Sequence, residues 1–171
     1  METNKVEQYF NSFIEENKLN SSKYKFLIAV SGGIDSITLL SLFIKSKLKF
    51  SVCSSNFNLR GDESKKDIAL VEKICLKNKI KFYSKVFDTK NYSKLNKMSI
   101  QMASRELRYE WFKEIMLKDS YNYLVTAHHS DDNFETIIFN LLKTTGYKGV
   151  IGIPQFGNKI IRPLLNLEKK D

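Results

Sequence analysis

The segment 26–42 limits the fold of this chain more than any other stretch. Its first part, Phe26–Val30, is a short apolar run that predicts a buried strand. The run breaks at Ser31–Gly33, and apolar residues then recur with helical spacing from Ile34 onward. A strand that enters a helix through glycines and serines predicts an anion site, because backbone N–H groups can face the ligand and the helix N-terminus carries partial positive charge.

The residues of this turn suit phosphate in particular. Ser31 and Ser36 can donate hydroxyl hydrogen bonds, and Asp35 can hold a Mg²⁺ ion that bridges phosphate oxygens. No Lys follows the glycines, so the turn is not a Walker A loop. Two glycines alone are typical of an ordinary strand-to-helix turn, but the complete pattern SGGxDS favours phosphate binding.

The chain has the length of one domain and is strongly basic. Its 171 residues can bury a core on both faces of a sheet. The net charge of +9 predicts a polyanionic partner such as nucleic acid. Only four of the basic residues are arginines, so a lysine-rich solvated surface explains the excess equally well, and both interpretations stay open.

The two cysteines, Cys53 and Cys75, lie in separate predicted elements and form no CxxC motif. They therefore indicate neither a zinc site nor a redox dithiol, and isolated buried thiols are typical of a cytoplasmic protein. The N-terminal residues lack the apolar core of a signal peptide, and no apolar run approaches about 18 residues. We therefore expect no association with a membrane.

Strand and helix patterns alternate along the chain, which predicts an α/β fold with a doubly wound, mostly parallel sheet and helices on both faces. Strands are predicted at 26–30, 49–56, 80–86, 121–127 and 159–161, and helices over 3–17, from 34, from 62–64, over 99–118 and from 131–132. Residues 88–97 are polar and predict an irregular loop over a site. In such sheets ligands bind beyond the carboxyl ends of the strands, which selects the segments 31–36, 56–64 and 126–135.

The helical patterns also predict caps and buried faces. Asp62 or Ser64 is expected to cap its helix, and Asp131 or Asp132 to begin the last one, which would end at 145–146. Apolar residues at helical spacing are expected to face the core. They are Met102, Leu107, Trp111, Phe112, Ile115 and Met116 on one helix, and Phe134, Ile137, Ile138, Leu141 and Leu142 on the last.

The segment 126–136 is the densest in reactive side chains and contains both histidines, His128 and His129. Asp131 and Glu135 are four residues apart on a predicted helix face, and Asp132 lies between them. These groups could bind Mg²⁺, receive an ammonium group or act in acid–base catalysis. The aspartates could equally cap a helix and complement its dipole, although capping explains neither histidine.

Arginines occur in two segments that could meet an anion. Arg105 and Arg108 lie one helical turn apart, where paired guanidinium groups could grip a phosphate or stabilise developing negative charge. Arg60 lies in the turn at 56–64. An exposed, ion-paired helix face and an ordinary turn residue are the alternatives. The basic stretch 143–149 could likewise contact an RNA backbone or form a plain surface loop.

Taken together, the motifs resemble the tRNA(Ile)-lysidine synthetases, a family of PP-loop ATP pyrophosphatases. They are SGGIDSITLL at 31–40, LRGDES at 59–64, SRELRYEWF at 104–112, the segment 126–154 that begins TAHHSDDNFET, and IIRPLL at 160–165. SGGxDS alone specifies only the superfamily, whereas the series is far more discriminating. The resemblance implies an enzyme that uses ATP and Mg²⁺ to join L-lysine to C2 of the wobble cytidine of a tRNA(Ile) with a CAU anticodon. The cytosine is first adenylated, and AMP and pyrophosphate are released.

The resemblance also implies roles for the residues that match the motifs. The ATP-binding residues would be Ser31, Gly32, Gly33, Ile34, Asp35 and Ser36, with Asp35 as the metal ligand. The catalytic residues would be Asp35, Arg105, Arg108, His129 and Asp132. The substrate-binding residues would be Asn56, Arg60, Glu63, His128, Asp131, Asp132 and Glu135. Which carboxylate would hold lysine stays open, and a homodimer is compatible with the pattern.

Two features depart from the family pattern. Many members have an H-x-N-H-G run before LRG, but residues 54–58 read SSNFN and contain no histidine. Family enzymes also continue past RPLL into domains that help to hold tRNA, whereas this chain ends at Asp171. We therefore expect 1–171 to be a PP-loop catalytic domain without those C-terminal domains. The alternatives are another PP-loop enzyme, such as a tRNA thiolase or an amide-forming synthetase, and a non-catalytic nucleotide-binding module.

Overall fold

The structure, a computed structural model, describes residues 5–59, 61–142 and 152–168, with side chains throughout except at 139–142. Its helices are α1 (Lys5–Glu16), α2 (Ile34–Lys45), α3 (Asp62–Lys77), α4 (Thr89–Leu95), α5 (Ile100–Lys118) and α6 (Ser130–Leu142). Its strands are β1 (Lys25–Ala29), β2 (Lys49–Asn56), β3 (Phe82–Val86), β4 (Tyr123–Val125), β5 (Phe156–Gly157) and β6 (Ile160–Ile161).

The strands form one sheet in the order β3-β2-β1-β4-β6-β5, which confirms the predicted α/β fold. All neighbouring strands run parallel except β5 and β6, a short antiparallel hairpin at one edge. The sequence predicted β6, at 159–161, but not its partner β5. On the central strand, Ile28 pairs with Val52 of β2 and with Val125 of β4. The chain winds outward to both sides of β1, so the boundary between β1 and β4 is the switch point of the strand order, where such sheets bind ligands.

Alternate residues of β1 pack into cores on opposite faces of the sheet. Phe26 and Ile28 lie in the larger core, which also contains buried residues of α1, α2 and α3. Leu27 lies in the smaller core with Trp111 and Phe112 of α5. Helices therefore cover both faces, as the sequence predicts.

Residues 88–97 contain helix α4 and are not the irregular loop that their polarity predicts. Asp88 caps the helix, because its carboxylate accepts the backbone N–H of Asn91 at 3.2 Å. The buried side chains of α4 are Thr89 and Ser93, four residues apart. Small hydroxyl residues face the interior here, so the apolar stripe that normally identifies a helix is missing from the sequence.

Three further expectations were wrong in detail. Gly61, with no side-chain cap, precedes α3, so neither Asp62 nor Ser64 is its cap, and α6 begins at Ser130. Some apolar residues at helical spacing are exposed: Met102 (61%), Phe134 (65%) and Ile138 (41%). Periodicity shows which residues share a face, but not whether another element covers that face. The predicted helix end at 145–146 and the stretch 143–149 lie outside the described residues.

Both cysteines are unpaired and buried, Cys53 in β2 and Cys75 in α3. Burial raises the pKa of each thiol, to about 11 for Cys75. Within the described ranges, none of the helices combines the length and the apolar character that a membrane span requires.

Candidate active site

The turn after β1 and the turn after β4 lie side by side, because these strands are parallel neighbours. The first turn carries 30–33 into α2, and the second carries 126–129 into α6. Both helices therefore begin near the carboxyl edge of the sheet, where their backbone N–H groups and dipoles favour an anion. A cavity of about 230 Å³, here called the nucleotide cleft, is lined by residues of both turns and by α5.

The two glycines of the first turn serve different purposes. Gly32 has a φ of +94°, and a Cβ there would lie 2.6 Å from the Cβ of Asp67, so Gly32 lets the turn pack closely against α3. Gly33 has an ordinary φ of −70°, and a Cβ there would meet only Ser31 Oγ at 3.6 Å. Gly33 lines the cleft and leaves that wall clear for a ligand.

The serines brace the turn from within. Ser36 Oγ donates a hydrogen bond to the carbonyl oxygen of Gly33 at 2.8 Å and accepts the backbone N–H of Ser31 at 3.2 Å. Ser36 is buried, whereas Ser31 is exposed, and both line the cleft. The Ser31 and Ser36 hydroxyl oxygens lie 3.2 Å apart, so the two serines hold the shape of the turn together, with Ser31 on its exposed side.

His129 lies between two carboxylates at the starts of different helices, Asp35 on α2 and Asp132 on α6. Its Nε2 is 3.7 Å from Asp35 Oδ2 and 3.5 Å from Asp132 Oδ2. Its Nδ1 accepts the backbone N–H of Asp131 at 3.3 Å. A neutral imidazole that accepts at Nδ1 carries its proton on Nε2, so we assign His129 as a donor that faces the carboxylate pair.

The sequence left two interpretations of Asp132 open, helix capping and a role in the site, and its position in the structure is compatible with both. Its Oδ2 accepts the backbone N–H of His129 at 2.9 Å, as a capping residue does at a helix start. Its carboxylate is also only half-buried, and it lines the nucleotide cleft. The capping bond fixes the carboxylate in place without removing it from the cleft.

His128 faces the cleft as a neutral side chain. Its Nδ1 lies 2.8 Å from Thr126 Oγ1. Burial lowers the pKa of His128 below its ordinary value, and the charge of Arg162 lowers it further, while Asp132 acts in the opposite direction. His128 is therefore uncharged at neutral pH and serves as a hydrogen-bonding group.

Helix α5 supplies one wall of the cleft through Arg108, Tyr109 and Phe112. The Arg108 guanidinium carbon lies 4.9 Å from the ring centroid of Phe57, in the turn after β2, a cation–π distance. The sequence predicted a role for Arg108 but not for the aromatic side chains beside it. Their spacing on α5 resembled an ordinary buried face, so no local signal marked them.

Other predicted site residues lie outside the lining of the nucleotide cleft. Arg105 lines a neighbouring cavity, and Ile34 is 71% exposed. Asn56 is buried, and its Oδ1 accepts the backbone N–H of Asn58 at 2.8 Å, so it shapes the turn after β2. Three of the predicted substrate-binding residues are exposed on helices: Glu63, Asp131 and Glu135. Arg60 lies outside the described residues.

Asn133 is a positioning residue that the sequence did not indicate. Its Oδ1 accepts the backbone N–H of Ile153 at 2.7 Å. Gly152 has a φ of +68°, and a Cβ there would lie 2.3 Å from the same oxygen atom. Asn133 thereby attaches the segment that leads to β5 to the first turns of α6.

Asp35 and Asp132 fit a Mg²⁺ ion that arrives with a phosphate ligand. In the parts of the chain that the structure describes, no three imidazole, thiol or carboxylate groups gather closely enough to hold a metal by themselves. Mg²⁺ is commonly bound by one or two carboxylates together with substrate phosphates, and the two aspartates on either side of His129 offer that donor set.

A parallel sheet whose switch point joins an anion-binding turn to a pair of carboxylates defines an α/β domain of the nucleotide-binding class. Within that class the chain belongs to the PP-loop domain family, whose model matches residues 2–171.

Curated relatives match almost all of this chain. A tRNA(Ile)-lysidine synthase of Bacteroides thetaiotaomicron is 37% identical over 166 residues, which are 97% of this chain and 39% of the relative. A tRNA(Ile)-lysidine synthase of Chlorobaculum tepidum is 41% identical over an alignment of 172 positions, which covers 98% of this chain and 52% of the relative. The chain thus spans about two fifths to one half of the length of these relatives.

Solved structures of low sequence identity share the fold. The U34-tRNA thiolase NcsA of Methanococcus maripaludis, solved with its 4Fe-4S cluster, matches with a TM-score of 0.76 and 16% identity over 96% of this chain and 61% of that chain. The NMN synthetase of Francisella tularensis matches with a TM-score of 0.66 and 15% identity over 96% of this chain and 65% of that one. These likenesses support the α/β architecture.

Proposed function

We propose that this chain is the ATP-binding catalytic domain of an enzyme that joins L-lysine to C2 of the wobble cytidine, position 34, in a tRNA(Ile) with a CAU anticodon. First, the C2 oxygen of cytosine attacks the α-phosphorus of ATP, and pyrophosphate leaves. Then the ε-amine of lysine attacks C2, the bond from C2 to oxygen breaks, AMP leaves, and the amine gives up a proton. The relatives named tRNA(Ile)-lysidine synthase, which match 97% and 98% of the chain, support this choice of substrate.

The observation that carries the proposal is the meeting of the two turns at one cavity. Asp35, at the start of α2, and Asp132, at the start of α6, lie on either side of His129. A site with helix N-termini and carboxylates together can hold an anion and a cation at once. The proposed reaction needs this combination, because it brings ATP and the ammonium group of lysine to the same base.

Residues 31–36 bind the phosphates of ATP in this proposal. The backbone N–H groups at the start of α2 and the Ser31 hydroxyl donate to phosphate oxygens, while Gly32 and Ser36 keep the turn in shape. Asp35 holds Mg²⁺, which when bound would neutralise charge on the phosphate oxygens. Asp35 and the helix N-terminus thus orient the α-phosphorus towards the base.

Asp132 accepts the proton of the lysine amine. The assignment follows from His129, whose Nδ1 accepts the Asp131 N–H and whose Nε2 faces the two carboxylates, so its ring offers no free acceptor atom. His129 instead donates towards the carboxylates and keeps them in position. Arg108, at the wall of the cleft, stabilises the negative charge that develops on the α-phosphate.

The remaining polar residues contact substrate at the edges of the site. Asp131 and Glu135 are exposed on α6, where they can receive the α-ammonium group of lysine. His128 donates or accepts a hydrogen bond as a neutral ring. Asn56, the last residue of β2, shapes the turn on the substrate side of the site, and Glu63 is exposed in the first turn of α3, where it can contact the RNA. Arg60, outside the described residues, keeps the substrate-binding role that the sequence predicts.

A tRNA thiolase is the rival enzyme with a related fold. The solved thiolase carries a 4Fe-4S cluster, and such clusters are held by several cysteine thiolates. This chain has two cysteines, and both are buried in separate elements with raised thiol pKa values. Neither is available as a cluster ligand or a sulfur carrier, which favours ligation over thiolation.

The deciding experiment measures AMP released by the full-length protein from ATP in the presence of tRNA(Ile) with a CAU anticodon and lysine. We expect AMP formation that requires all three substrates and a tRNA product heavier by one lysine residue. AMP formation that ignores lysine, or that requires a sulfur donor, would refute the proposal.

Three further properties belong to this proposal. Residues 1–171 would act within a longer enzyme whose other domains hold tRNA, and the site would work in the cytoplasm, where tRNA is modified. The enzyme would assemble as a homodimer. Light scattering on the full-length protein tests the last point, because a molar mass equal to one chain would exclude it.

A further inference from the structure

A second cavity of about 510 Å³ adjoins the nucleotide cleft, and Tyr109 lines both. Arg105 and Glu106 enter it from α5, and Arg162 enters it from the chain just after β6. We call this space the Arg162 cavity. The two arginines of α5 therefore line different cavities: Arg108 lines the nucleotide cleft, and Arg105 lines the Arg162 cavity.

Arg162 is a buried cation without a carboxylate partner among the described residues. It is 7% exposed, and its Nη1 donates to the carbonyl oxygen of Pro154 at 2.7 Å. Its Nε is buried and has no hydrogen-bond partner in the part of the chain that the structure describes. A buried guanidinium is costly without an anion, and such a group in a cavity marks a site for one.

Arg162 lies beside the Tyr109 side chain and a second guanidinium group, that of Arg105. Burial lowers the pKa of Arg162, the Tyr109 side chain, which hydrogen-bonds to Arg162, acts in the opposite direction, and the charge of Arg105 lowers the pKa further. Arg105 lies 5.1 Å from the Tyr109 ring centroid. The one carboxylate in the lining, Glu106, accepts the hydroxyl hydrogen of Tyr92 at 3.3 Å. Two guanidinium groups thus face the cavity against one carboxylate that is already engaged.

We propose that the Arg162 cavity is a phosphate subsite, separate from the ATP site, in which Arg162 and Arg105 hold a backbone phosphate of the RNA next to the reacting base. The shared wall at Tyr109 puts this subsite directly beside the nucleotide cleft. Planar guanidinium groups match a phosphodiester geometrically, and backbone phosphates position a nucleic acid without reading its sequence. The inference rests on the proposed RNA substrate and assigns Arg105 to RNA instead of to the adenylate.

The test is a binding measurement on the full-length protein without ATP or lysine. The probe is a fluorescent anticodon stem-loop with a CAU anticodon, together with versions in which single phosphates near the wobble cytidine are replaced by neutral methylphosphonates. We expect one replacement to weaken binding by about ten- to a hundredfold, the usual effect of losing a charge-assisted hydrogen bond. Arg162→Gln should weaken binding of the unmodified RNA similarly and make that replacement harmless.

Control variants keep the result interpretable. Lys113→Gln, on the exposed side of α5, removes the same charge and should change binding by less than about threefold. If Arg162→Gln does not fold, Arg105→Gln takes its place, because Arg105 is exposed and its guanidinium group lies over the Tyr109 ring.

Pyrophosphate, the product of ATP cleavage, is the alternative anion that the two guanidinium groups could bind. If Arg162→Gln weakened pyrophosphate inhibition of ATP turnover but left RNA binding unchanged, the RNA assignment would be wrong. No binding of RNA by the natural protein, or equal sensitivity to the methylphosphonates in natural protein and variant, would also overturn it. Lysine-dependent AMP formation is measured separately, so the proposed reaction can stand or fail independently of this subsite.

Discussion

Asp35 is the residue on which the proposed chemistry most depends. It lies in the first turn of α2, where its charge complements the helix dipole. Its carboxylate also lines the nucleotide cleft, on the other side of His129 from Asp132. Its neighbour His129 bonds to the main chain at one ring nitrogen and faces both carboxylates with the other. A change at Asp35 should therefore affect function far more than stability.

We predict that Asp35→Asn lowers the rate of AMP formation at least about a hundredfold, since a metal ligand and charge partner of the transition state is lost. The free energy of unfolding should change by less than about 1 kcal/mol, because the substitution weakens a helix-dipole interaction and a partly exposed 3.7 Å contact with His129. Urea denaturation and steady-state kinetics measure the two effects. Asp62→Asn, in the first turn of α3, is the matched control and should keep full activity. A large loss of stability in Asp35→Asn would assign that residue a structural role.

His128 makes stability depend on pH. Its pKa is lowered in the folded protein, so protons bind the unfolded chain more readily, and the folded state loses stability as the pH falls below the ordinary histidine pKa of about 6.5. We predict that His128→Gln, which can still hydrogen-bond to Thr126, becomes more stable relative to the natural protein between about pH 7 and pH 5. Urea denaturation at a series of pH values measures this difference. Parallel curves for the two proteins would show that His128 titrates normally.

At the scale of single elements, the two glycines of the turn before α2 have different roles: Gly32 adopts a backbone conformation that other residues rarely adopt, and Gly33 leaves space for a ligand. Gly32 needs its left-handed conformation and its lack of a side chain, whereas Gly33 needs neither for folding. The sequence motif SGG presents the two glycines as equivalent, and the structure distinguishes them through the contact with Asp67 on α3.

We predict opposite effects on stability for alanine at the two glycines. Gly32→Ala should lower the free energy of unfolding by about 1–3 kcal/mol or more, because of strain at positive φ and the clash with Asp67. Gly33→Ala should leave it unchanged or raise it by about 0.4–1 kcal/mol, by restricting the unfolded chain. Both variants are compared by urea denaturation. Equal losses of stability would mean that Gly33 is also required for the fold.

Helix α4 shows where sequence patterns fail at this scale. Its buried positions, Thr89 and Ser93, are hydroxyl residues, so hydrophobic periodicity contains no trace of the helix. Asp88 is a residue type that often caps a helix, but Asp is also common in loops, so it did not identify α4 by itself. Only contact with α5 explains why this polar segment is helical.

At the scale of the whole molecule, the net charge of +9 predicts a nucleic-acid partner whose binding depends on salt. We predict that binding of the CAU anticodon stem-loop weakens steeply with added salt, with a slope of log affinity against log salt of about −0.7 to −0.9 for each phosphate neutralised. Fluorescence anisotropy over a range of KCl concentrations measures the slope. A slope near zero would leave the lysine excess as a solvated surface.

The sequence by itself determined the fold class and predicted where along the chain the site lies. Apolar runs marked the central strands, and the segment SGGIDS marked the anion-binding turn, because both depend on interactions between near neighbours in sequence. The rule that ligands bind beyond parallel strand ends then selected 31–36 and 126–135, which the structure places side by side.

Only the tertiary structure decided how the site residues are grouped. The pairing of β1 with β4 brings Asp35 to His129 and Asp132 across almost a hundred residues of chain, and no local pattern contains that contact. The separation of Arg108 from Arg105, and the burial of Arg162 without a carboxylate partner among the described residues, likewise arise from packing between distant segments. Sequence spacing records chemistry along the chain, whereas a site is a set of distances in space.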